Sequence, residues 1–298
     1  MDKKNVMFAY FYAWELVPDN MILQIMREFK DNGADDLVLT SHLLIRMLRD
    51  PMFFTTLRKY AYDLQMNFTE PHAPWGQCYD LCCIDRARRE NLIKDQILGM
   101  RYAAEFGAKT YTMHIGAYES VFFKTPNSEL RKNVLDSLEK LIPEAEKLGL
   151  VIAVENSYER SNTAGEAVYY ASYFDTPAIG CCFDAGHAHM MEPAGKVREK
   201  YFVEMDYAWG EEIEFFPDSL GKMMPYIVTC HLHDNNGYAD SHALPGTGTI
   251  AWKELFERLQ QAPRLISMLS EVYMGANGPS IRKVVDTFNK LRAGEDIK

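Results

Sequence analysis

The sequence predicts a single (β/α)8 barrel, an α/β fold that spans residues 1–298 as one domain. Short apolar segments alternate about eight times with longer amphipathic segments, which is the pattern of repeated strand–helix units. The clearest strand, Leu150–Val154, is apolar without alternation, as expected for a strand buried on both faces of a parallel sheet. The alternative is a doubly wound open sheet, but no GxGxxG turn follows the first apolar segment.

The individual strands and helices follow from these segments. We predict strands at Val6–Ala13, Asp36–Thr40, Met66–Thr69, Lys109–His114, Leu150–Val154, Ile179–Phe183, Tyr226–Cys230 and Leu265–Leu269. We predict helices at Asn20–Asn32, His42–Gln65 with an interruption near Pro51, Arg86–Phe106, Ser128–Lys147, Gly165–Phe174, Trp252–Gln260 and Pro279–Leu291. Several of these helices stop at a glycine, which commonly ends a helix. The stretch Ala194–Met224 is acidic and only partly helical in pattern.

Composition limits the class of partner. Of the 298 residues, 47% are hydrophobic and 25% are charged, which is typical of a globular protein with an ample core. The formal net charge of −10 repels a phosphate backbone, so we do not expect a nucleic acid partner. We find no membrane-spanning run and no convincing signal peptide. The six cysteines form no CxxC motif and include two adjacent pairs in apolar segments, which favours reduced thiols and a cytoplasmic location.

Ionisable side chains collect where the predicted strands end. In a closed parallel barrel the carboxyl ends of all strands meet at one rim, where barrel enzymes place their active sites. Seven of the eight histidines fall at this end, and only His42, which opens a helix, lies elsewhere. Each residue alone has an ordinary structural explanation, but structural histidines have no reason to share one rim. The candidates are His72, His114, Glu155, Asp184, His187, His189, His231, His233, Asp240, His242 and Glu271.

Three of these candidates are acids that follow different strands, namely Glu155, Asp184 and Glu271. Two carboxylates about 4 Å apart repel by roughly 4 kcal/mol at an effective dielectric constant near 20. Converging acids therefore require protonation or a cation between them. Carboxylates combined with imidazole suit Mn, Mg, Co or Zn, so we expect one divalent metal ion at the rim.

The order and spacing of five motifs resemble the xylose isomerase-like barrel superfamily, which holds sugar isomerases and epimerases together with endonuclease IV. The motifs are Val154-Glu155-Asn156, Asp184-x-Gly-His187, His231-Leu-His-Asp234, Pro245-Gly-Thr-Gly-Thr-Ile250 and Glu271. Each motif is weak alone, but together they cover the chain essentially from end to end. The resemblance implies an enzyme of carbohydrate metabolism that isomerises or epimerises a small sugar or a related hydroxy-carbonyl compound.

The resemblance also implies a role for each matched residue. The residues that match the family's four metal ligands are Glu155, Asp184, His231 and Glu271. Glu155 and Glu271 would also be the catalytic acid–base pair that exchanges a carbon-bound proton, while the metal stabilises the enediolate. The side chains expected to contact substrate are His187, His233, His72, His114 and Trp75, with Tyr10 or Phe11 shaping the pocket. His233 would be either a ligand or a support for one.

A second function stays open because further residues match the extra ligand positions of endonuclease IV. The residues that correspond to its three-zinc cluster, beyond the four shared ligands, are His72, His114, His187, Asp240 and His242. The resemblance thus also implies a multinuclear zinc phosphodiesterase as the alternative. Ketose 3-epimerases of the family carry an arginine soon after the His231 position, whereas this chain has Asp240 and His242 there.

A third alternative is a non-catalytic barrel that forms one subunit of a larger complex.

The stretch Tyr201–Phe216 is aromatic and acidic. It predicts either the subunit interface of a homo-oligomer or a lid over the active site.

Overall fold

Eight parallel strands form one sheet in this computed structural model, which describes residues 6–193, 203–210, 212–275 and 278–297. The strands are β1 (Met7–Tyr10), β2 (Asp36–Leu39), β3 (Asn67–Pro71), β4 (Thr110–Met113), β5 (Val151–Glu155), β6 (Ile179–Asp184), β7 (Ile227–Leu232) and β8 (Ser267–Ser270). They pair in the order β3-β2-β1-β8-β7-β6-β5-β4. A parallel bridge between His72 and Thr112 joins the two remaining edges. The (β/α)8 barrel predicted from the sequence is therefore confirmed.

Helices alternate with the strands along the described part of the chain. They are α1 (Asp19–Asp31), α2 (Ser41–Arg49), α3 (Pro51–Leu64), α4 (Arg86–Glu105), α5 (Tyr118–Phe122), α6 (Asn127–Leu148), α7 (Ala164–Tyr173), α8 (Ala185–Met191), α9 (Val203–Trp209), α10 (Ser219–Met223), α11 (Trp252–Leu259) and α12 (Ile281–Ala293). The break near Pro51 is confirmed, because Asp50 caps a new helix by accepting a hydrogen bond from Met52 N–H at 2.9 Å. No helix among the described residues could cross a membrane.

Several strands end later than predicted, and the extra residues of three of them matter for the site. β5, β6 and β7 include Glu155, Asp184 and His231, each of which was expected just beyond its strand. The parallel ladder pairs Glu155 with Cys182 and Asp184 with His231. These three side chains are therefore held by the hydrogen-bonded sheet itself rather than by mobile loops.

Tyr10 belongs to the layer between barrel and helices, so the prediction that it shapes the pocket is wrong. β1 ends at Tyr10 and not at Ala13. The Tyr10 ring packs against Phe29 of α1 and Phe288 of α12, with ring centroids 6.2 and 6.4 Å away. Because side chains alternate along an extended chain, the next residue, Phe11, faces the other way and lines the cavity at the rim.

The interior of the barrel beneath the rim is polar. Barrel interiors are usually filled by Val, Ile and Leu, but Glu70 of β3 is fully buried here. Its Oε2 accepts hydrogen bonds from the hydroxyls of Thr110 (2.9 Å) and Thr229 (3.0 Å), and the Ser267 hydroxyl lies 3.1 Å from that of Thr229. Burial raises the pKa of the Glu70 carboxyl group. No sequence signal marks this network, since its members come from four different strands.

Asp234, directly beyond β7, holds the loop between β7 and α11. Its fully buried carboxylate accepts hydrogen bonds from the backbone N–H groups of Gly246 and Gly248, both at 2.9 Å, and from Nε1 of Trp252 at 2.8 Å. A Cβ atom at Gly248 would lie 2.4 Å from this carboxylate, so the close approach requires glycine. The Asp234 side chain therefore helps to fasten to the barrel the loop that presents residues 240 and 242.

We predict that Asp234→Ala destabilises the protein by about 2–4 kcal/mol, because buried N–H donors lose their acceptor. Urea denaturation followed by circular dichroism measures this loss. The control is Asp63→Ala on α3, which removes an exposed ion pair with Lys59 and should cost less than about 1 kcal/mol. Equal shifts of the two midpoints would show that Asp234 has no special structural role.

Candidate active site

A cavity of about 830 Å3 opens at the carboxyl-terminal rim of the barrel. The sequence candidates that line it are His72, Trp75, His114, Glu155, His187, Asp240, His242 and Glu271. Asp184, His231 and His233 are fully buried. The structure thus brings the predicted site residues to one end of the barrel, with some exposed to the cavity and others enclosed by the protein.

Two histidines differ from expectation. His42 also lines the cavity, so the prediction that it lies away from the rim is wrong. The reason is that α2 begins at Ser41, directly after β2, so its first turn is at the rim. His189 is not among the lining residues, and its Nε2 lies within hydrogen-bonding distance of the Thr249 hydroxyl at 2.8 Å.

The four residues expected to bind one metal ion converge. One donor atom from each of them lies within 4.8 Å of the others; the residues are Glu155, Asp184, His231 and Glu271. Nδ1 of His231 lies 3.0 Å from Oε1 of Glu155 and 3.2 Å from Oε2 of Glu271. Three carboxylates and one imidazole therefore surround a single buried point.

The other oxygen of Glu155 faces two further histidines. Oε2 lies 3.3 Å from Nε2 of His72 and 3.2 Å from Nε2 of His114. The His72 and His114 rings stack with centroids 5.2 Å apart. Donor atoms of His72, Glu155 and His231 also lie within 4.8 Å of one another, so Glu155 belongs to two overlapping donor groups.

A third donor group contains Asp240 and shares no member with the other two. Its members are His187, His233, Asp240 and His242, again with donor atoms within 4.8 Å of one another. Oδ2 of Asp240 is 3.2 Å from Nε2 of His187 and 3.3 Å from Nε2 of His242. Asp240 and His242 therefore approach His187 from the loop that Asp234 fastens.

His233 contacts the Asp184 carboxylate and does not contact Glu155 or Glu271. Its Nε2 lies 3.1 Å from Oδ2 of Asp184, and its ring stacks on that of His242 with centroids 3.9 Å apart. A Cβ atom at Gly186 would lie only 2.0 Å from the His233 ring. The glycine of the Asp184-x-Gly-His187 motif thus makes room for His233.

Three of the histidines share a hydrogen-bond arrangement that fixes the ring. In each, Nδ1 lies near a backbone carbonyl oxygen, which can only accept, so Nδ1 carries the proton. The pairs are His72 with Ala73 (2.9 Å), His187 with Asn156 (3.1 Å) and His242 with Glu271 (2.8 Å). Nε2 of each ring then faces a carboxylate oxygen, which is unfavourable unless a proton or a metal ion lies between. Metal-ligating histidines usually show this arrangement.

The neighbouring charges change the proton affinities of these groups. Although burial opposes a charged ring, the carboxylates of Asp184 and Asp240 raise the pKa of His187 well above its usual value. Burial likewise opposes the charge on His242, but Asp240 raises the pKa of this ring to about 9. Burial raises the pKa of Asp240, but the two rings more than offset this and lower it. When no cation is bound, protons on the rings therefore balance the carboxylates.

Several buried polar atoms at the rim have no hydrogen-bond partner among the described residues. They are Nδ1 and Nε2 of His231, Oε2 of Glu155, Oε2 of Glu271, Oδ1 of Asp240 and Nδ1 of His233. The 3.0 and 3.2 Å contacts of His231 are close to the roughly 3.3–3.6 Å between donors that each lie about 2.0–2.2 Å from a tetrahedral ion. The donor types and their spacing therefore fit a divalent cation.

Part of the cavity wall comes from residues that the sequence analysis does not name individually. Tyr158, Glu204 and Tyr207 line the cavity, and Glu204 accepts a hydrogen bond from the Asp240 backbone N–H at 3.0 Å. Glu204 and Tyr207 lie on α9, within the stretch predicted as an interface or a lid. Residues 201, 202 and 211 of that stretch lie outside the described residues.

Comparison with known proteins agrees with this architecture. A family model described as "Xylose isomerase-like TIM barrel" matches residues 28–291. An uncharacterized protein of Methanocaldococcus jannaschii is 27% identical over 196 residues, which make up 64% of this chain but only 59% of that protein. A D-tagatose 3-epimerase-like protein superposes with a TM-score of 0.71 at 19% identity, covering 97% of this chain and 96% of its own. IolI protein with a bound zinc atom superposes with a TM-score of 0.66 at 17% identity, covering 97% and 96%.

The fold and the rim together define an α/β barrel with a candidate metal centre. Because the family model matches most of the chain, the protein belongs to the xylose isomerase-like TIM-barrel family. The solved structures share less than 25% of their residues with this chain, so they establish the fold alone.

We predict that Mn2+ or Zn2+ raises the melting temperature, and that the increase is larger at about pH 8.5 than at about pH 6.5. Although burial opposes its charge, Cys182 and Glu155 raise the pKa of His231 well above its usual value. The bound proton must leave before this proposed ligand can bind a metal ion, so the apparent affinity for metal falls as pH falls. Differential scanning fluorimetry with a chelator-treated reference measures both effects.

The matched control for this measurement is a pair of aspartate variants. Asp184→Asn removes a proposed ligand and should lose most of the increase, whereas Asp63→Asn on the outer face of α3 should keep it. A melting temperature that does not change when metal is added, at either pH value, would argue against a metal centre.

Proposed function

We propose that this protein is a divalent-metal-dependent isomerase or epimerase of a small, uncharged sugar or related hydroxy-carbonyl compound. The observation that carries the proposal is the pair of Glu155 and Glu271 carboxylates, which contact the same nitrogen of His231 and both line the cavity. Two carboxylates beside one substrate carbon can remove its proton and return it, which is the chemistry of isomerisation and epimerisation.

The charge of the cavity wall supports an uncharged substrate. Among the described lining residues there is neither lysine nor arginine, and seven are acids: Glu15, Asp80, Glu155, Glu159, Glu204, Asp240 and Glu271. A phosphorylated sugar or a nucleic acid would meet repulsion from most of this wall. A neutral polyhydroxy compound would instead find many hydrogen-bond acceptors.

The proposed ligands of the cation are Glu155, Asp184, His231 and Glu271. When bound, the cation supplies Lewis-acid polarisation of the substrate carbonyl. Burial raises the pKa of both glutamates, but the facing imidazoles, with His231 the largest contributor, more than offset this and lower the pKa of each. Both carboxylates are therefore ionised at neutral pH, so either can accept the proton of the substrate carbon.

The histidines around this pair have supporting roles in the proposal. His72 and His114 contact Oε2 of Glu155 and so orient the carboxylate that receives or returns the proton. His187 lines the cavity and would donate a hydrogen bond to a substrate oxygen. Trp75, which is exposed beside His114, would cover the substrate from the solvent side.

We predict that Glu155→Gln and Glu271→Gln each lower the exchange rate of a carbon-bound proton by about 10²–10⁴-fold, because glutamine cannot accept the proton. Neutral ketoses and aldoses are incubated with the metal-loaded protein in D2O, and deuterium incorporation is followed by NMR. Wild-type protein should exchange at least one member of the panel.

Two controls separate catalysis from folding and metal loss. Metal content is measured for each variant, since both glutamates are also proposed ligands, and Glu254→Gln on the exposed face of α11 should leave the rate unchanged. A Glu155→Gln/Glu271→Gln double variant that still exchanges at the wild-type rate would refute the proposed acid–base pair. Folded wild-type protein that exchanges no substrate would favour the non-catalytic alternative.

A second candidate, a multinuclear zinc phosphodiesterase, is favoured by one observation. The described residues form three donor groups rather than one, and two of these groups share Glu155 and His231. His114→Ala separates the two candidates when bis-(p-nitrophenyl) phosphate and the sugar panel are tested together. A phosphodiesterase should lose hydrolysis outright, whereas an isomerase should keep a reduced but measurable rate of proton exchange, because His72 still contacts Glu155.

A further inference from the structure

Exposed aromatic side chains concentrate at the mouth of the cavity. Of the seven large aromatic residues described as exposed, four line this cavity: Trp75, Phe122, Tyr207 and Tyr273, with exposures of 59%, 55%, 62% and 45%. They come from four separate parts of the chain, namely the loop after β3, α5, α9 and the loop after β8. Large aromatic side chains left in water by four independent elements at one opening indicate a binding surface.

These rings continue directly outward from the proposed reacting groups. The Trp75 ring lies 6.0 Å from the His114 ring, and Nε2 of His114 lies 3.2 Å from Glu155. On another side of the mouth, Phe122 and Tyr207 pack edge to face with centroids 5.9 Å apart. A molecule with one end at Glu155 would therefore extend past Trp75 toward Phe122 and Tyr207. We call the four exposed rings at the mouth the aromatic rim.

The size of the cavity exceeds the needs of one sugar ring. Its volume of about 830 Å3 lies near the upper end of the roughly 300–1,000 Å3 that encloses a drug-sized ligand. A single hexose is smaller than such a ligand, so it would leave the aromatic rim unfilled. A second group on the bound molecule would be needed to cover these aromatic side chains.

We infer that the substrate is a neutral glycoside of at least two units, whose outer ring stacks on the aromatic rim while its reacting ring lies between Glu155 and Glu271. The electron-rich face of an aromatic ring attracts the C–H groups on the face of a sugar ring. The acidic wall, without lysine or arginine among its described residues, disfavours phosphate-bearing partners. The inference rests on the proposed function, since it assigns the substrate class of that same site.

Binding to the metal-loaded protein is measured by calorimetry with cellobiose, maltose, lactose and p-nitrophenyl β-D-glucopyranoside, beside D-glucose and D-galactose. We expect at least one of the larger probes to bind about tenfold more tightly than either monosaccharide. Phe122→Ala should weaken that probe about two- to tenfold, the range for losing one aromatic contact, and change monosaccharide binding less than twofold. Tyr62→Ala, an exposed tyrosine on the outer face of α3, should change neither.

Equal binding of large and small probes, or no binding of any glycoside, would overturn the inference. A Phe122→Ala variant that weakens both classes equally would also overturn it. A short single-stranded oligonucleotide that binds more tightly than every sugar would do the same. Proton exchange in D2O is followed in parallel. If glycosides bind but no proton exchanges, the proposed function is rejected and the glycoside-binding surface stands. If free monosaccharides exchange protons and glycosides are not preferred, the glycoside-binding surface alone is rejected.

Discussion

The mutual repulsion of three buried carboxylates is the constraint on which the rest of the rim depends. Glu155, Asp184 and Glu271 meet around His231, and at about 4 Å each pair of charges repels by roughly 4 kcal/mol. The barrel cannot relieve this by separating them, because two of the three sit inside hydrogen-bonded strands. Positive charge must be supplied, and the surrounding imidazoles or a bound cation are the available sources.

Residues around the three carboxylates hold the neighbouring histidine rings in place. The Asp234 carboxylate fastens the loop that carries Asp240, and Asp240 in turn contacts His187 and His242. Backbone carbonyls fix the histidine rings so that Nε2 points into the cluster. In the proposed function, the oxygens and nitrogens that repel one another or lack partners would become the ligands of a cation.

The barrel and most of the rim could be predicted from the sequence, because apolar runs that stop at a charged residue, such as those ending at Glu155 and Asp184, mark strand ends directly. The division of the histidines into separate donor groups could not be predicted, because it depends on the directions of the side chains. Glu70 was not predicted either, because only closure of the barrel brings it beside residues from distant strands. His42 was misplaced because a helix start gives no sign of the cavity that it faces. The homo-oligomeric state and the cytoplasmic location of the protein remain predictions.

The most direct test of the central claim is anomalous X-ray diffraction from crystals soaked in Mn2+, with data collected on either side of the manganese absorption edge. We expect a strong anomalous peak bounded by Glu155, Asp184, His231 and Glu271. Further peaks beside His114 or Asp240 would indicate a multinuclear centre and favour phosphodiester chemistry. An anomalous map without a peak at the four residues, in crystals that contain manganese elsewhere, would show that these residues do not hold a metal ion.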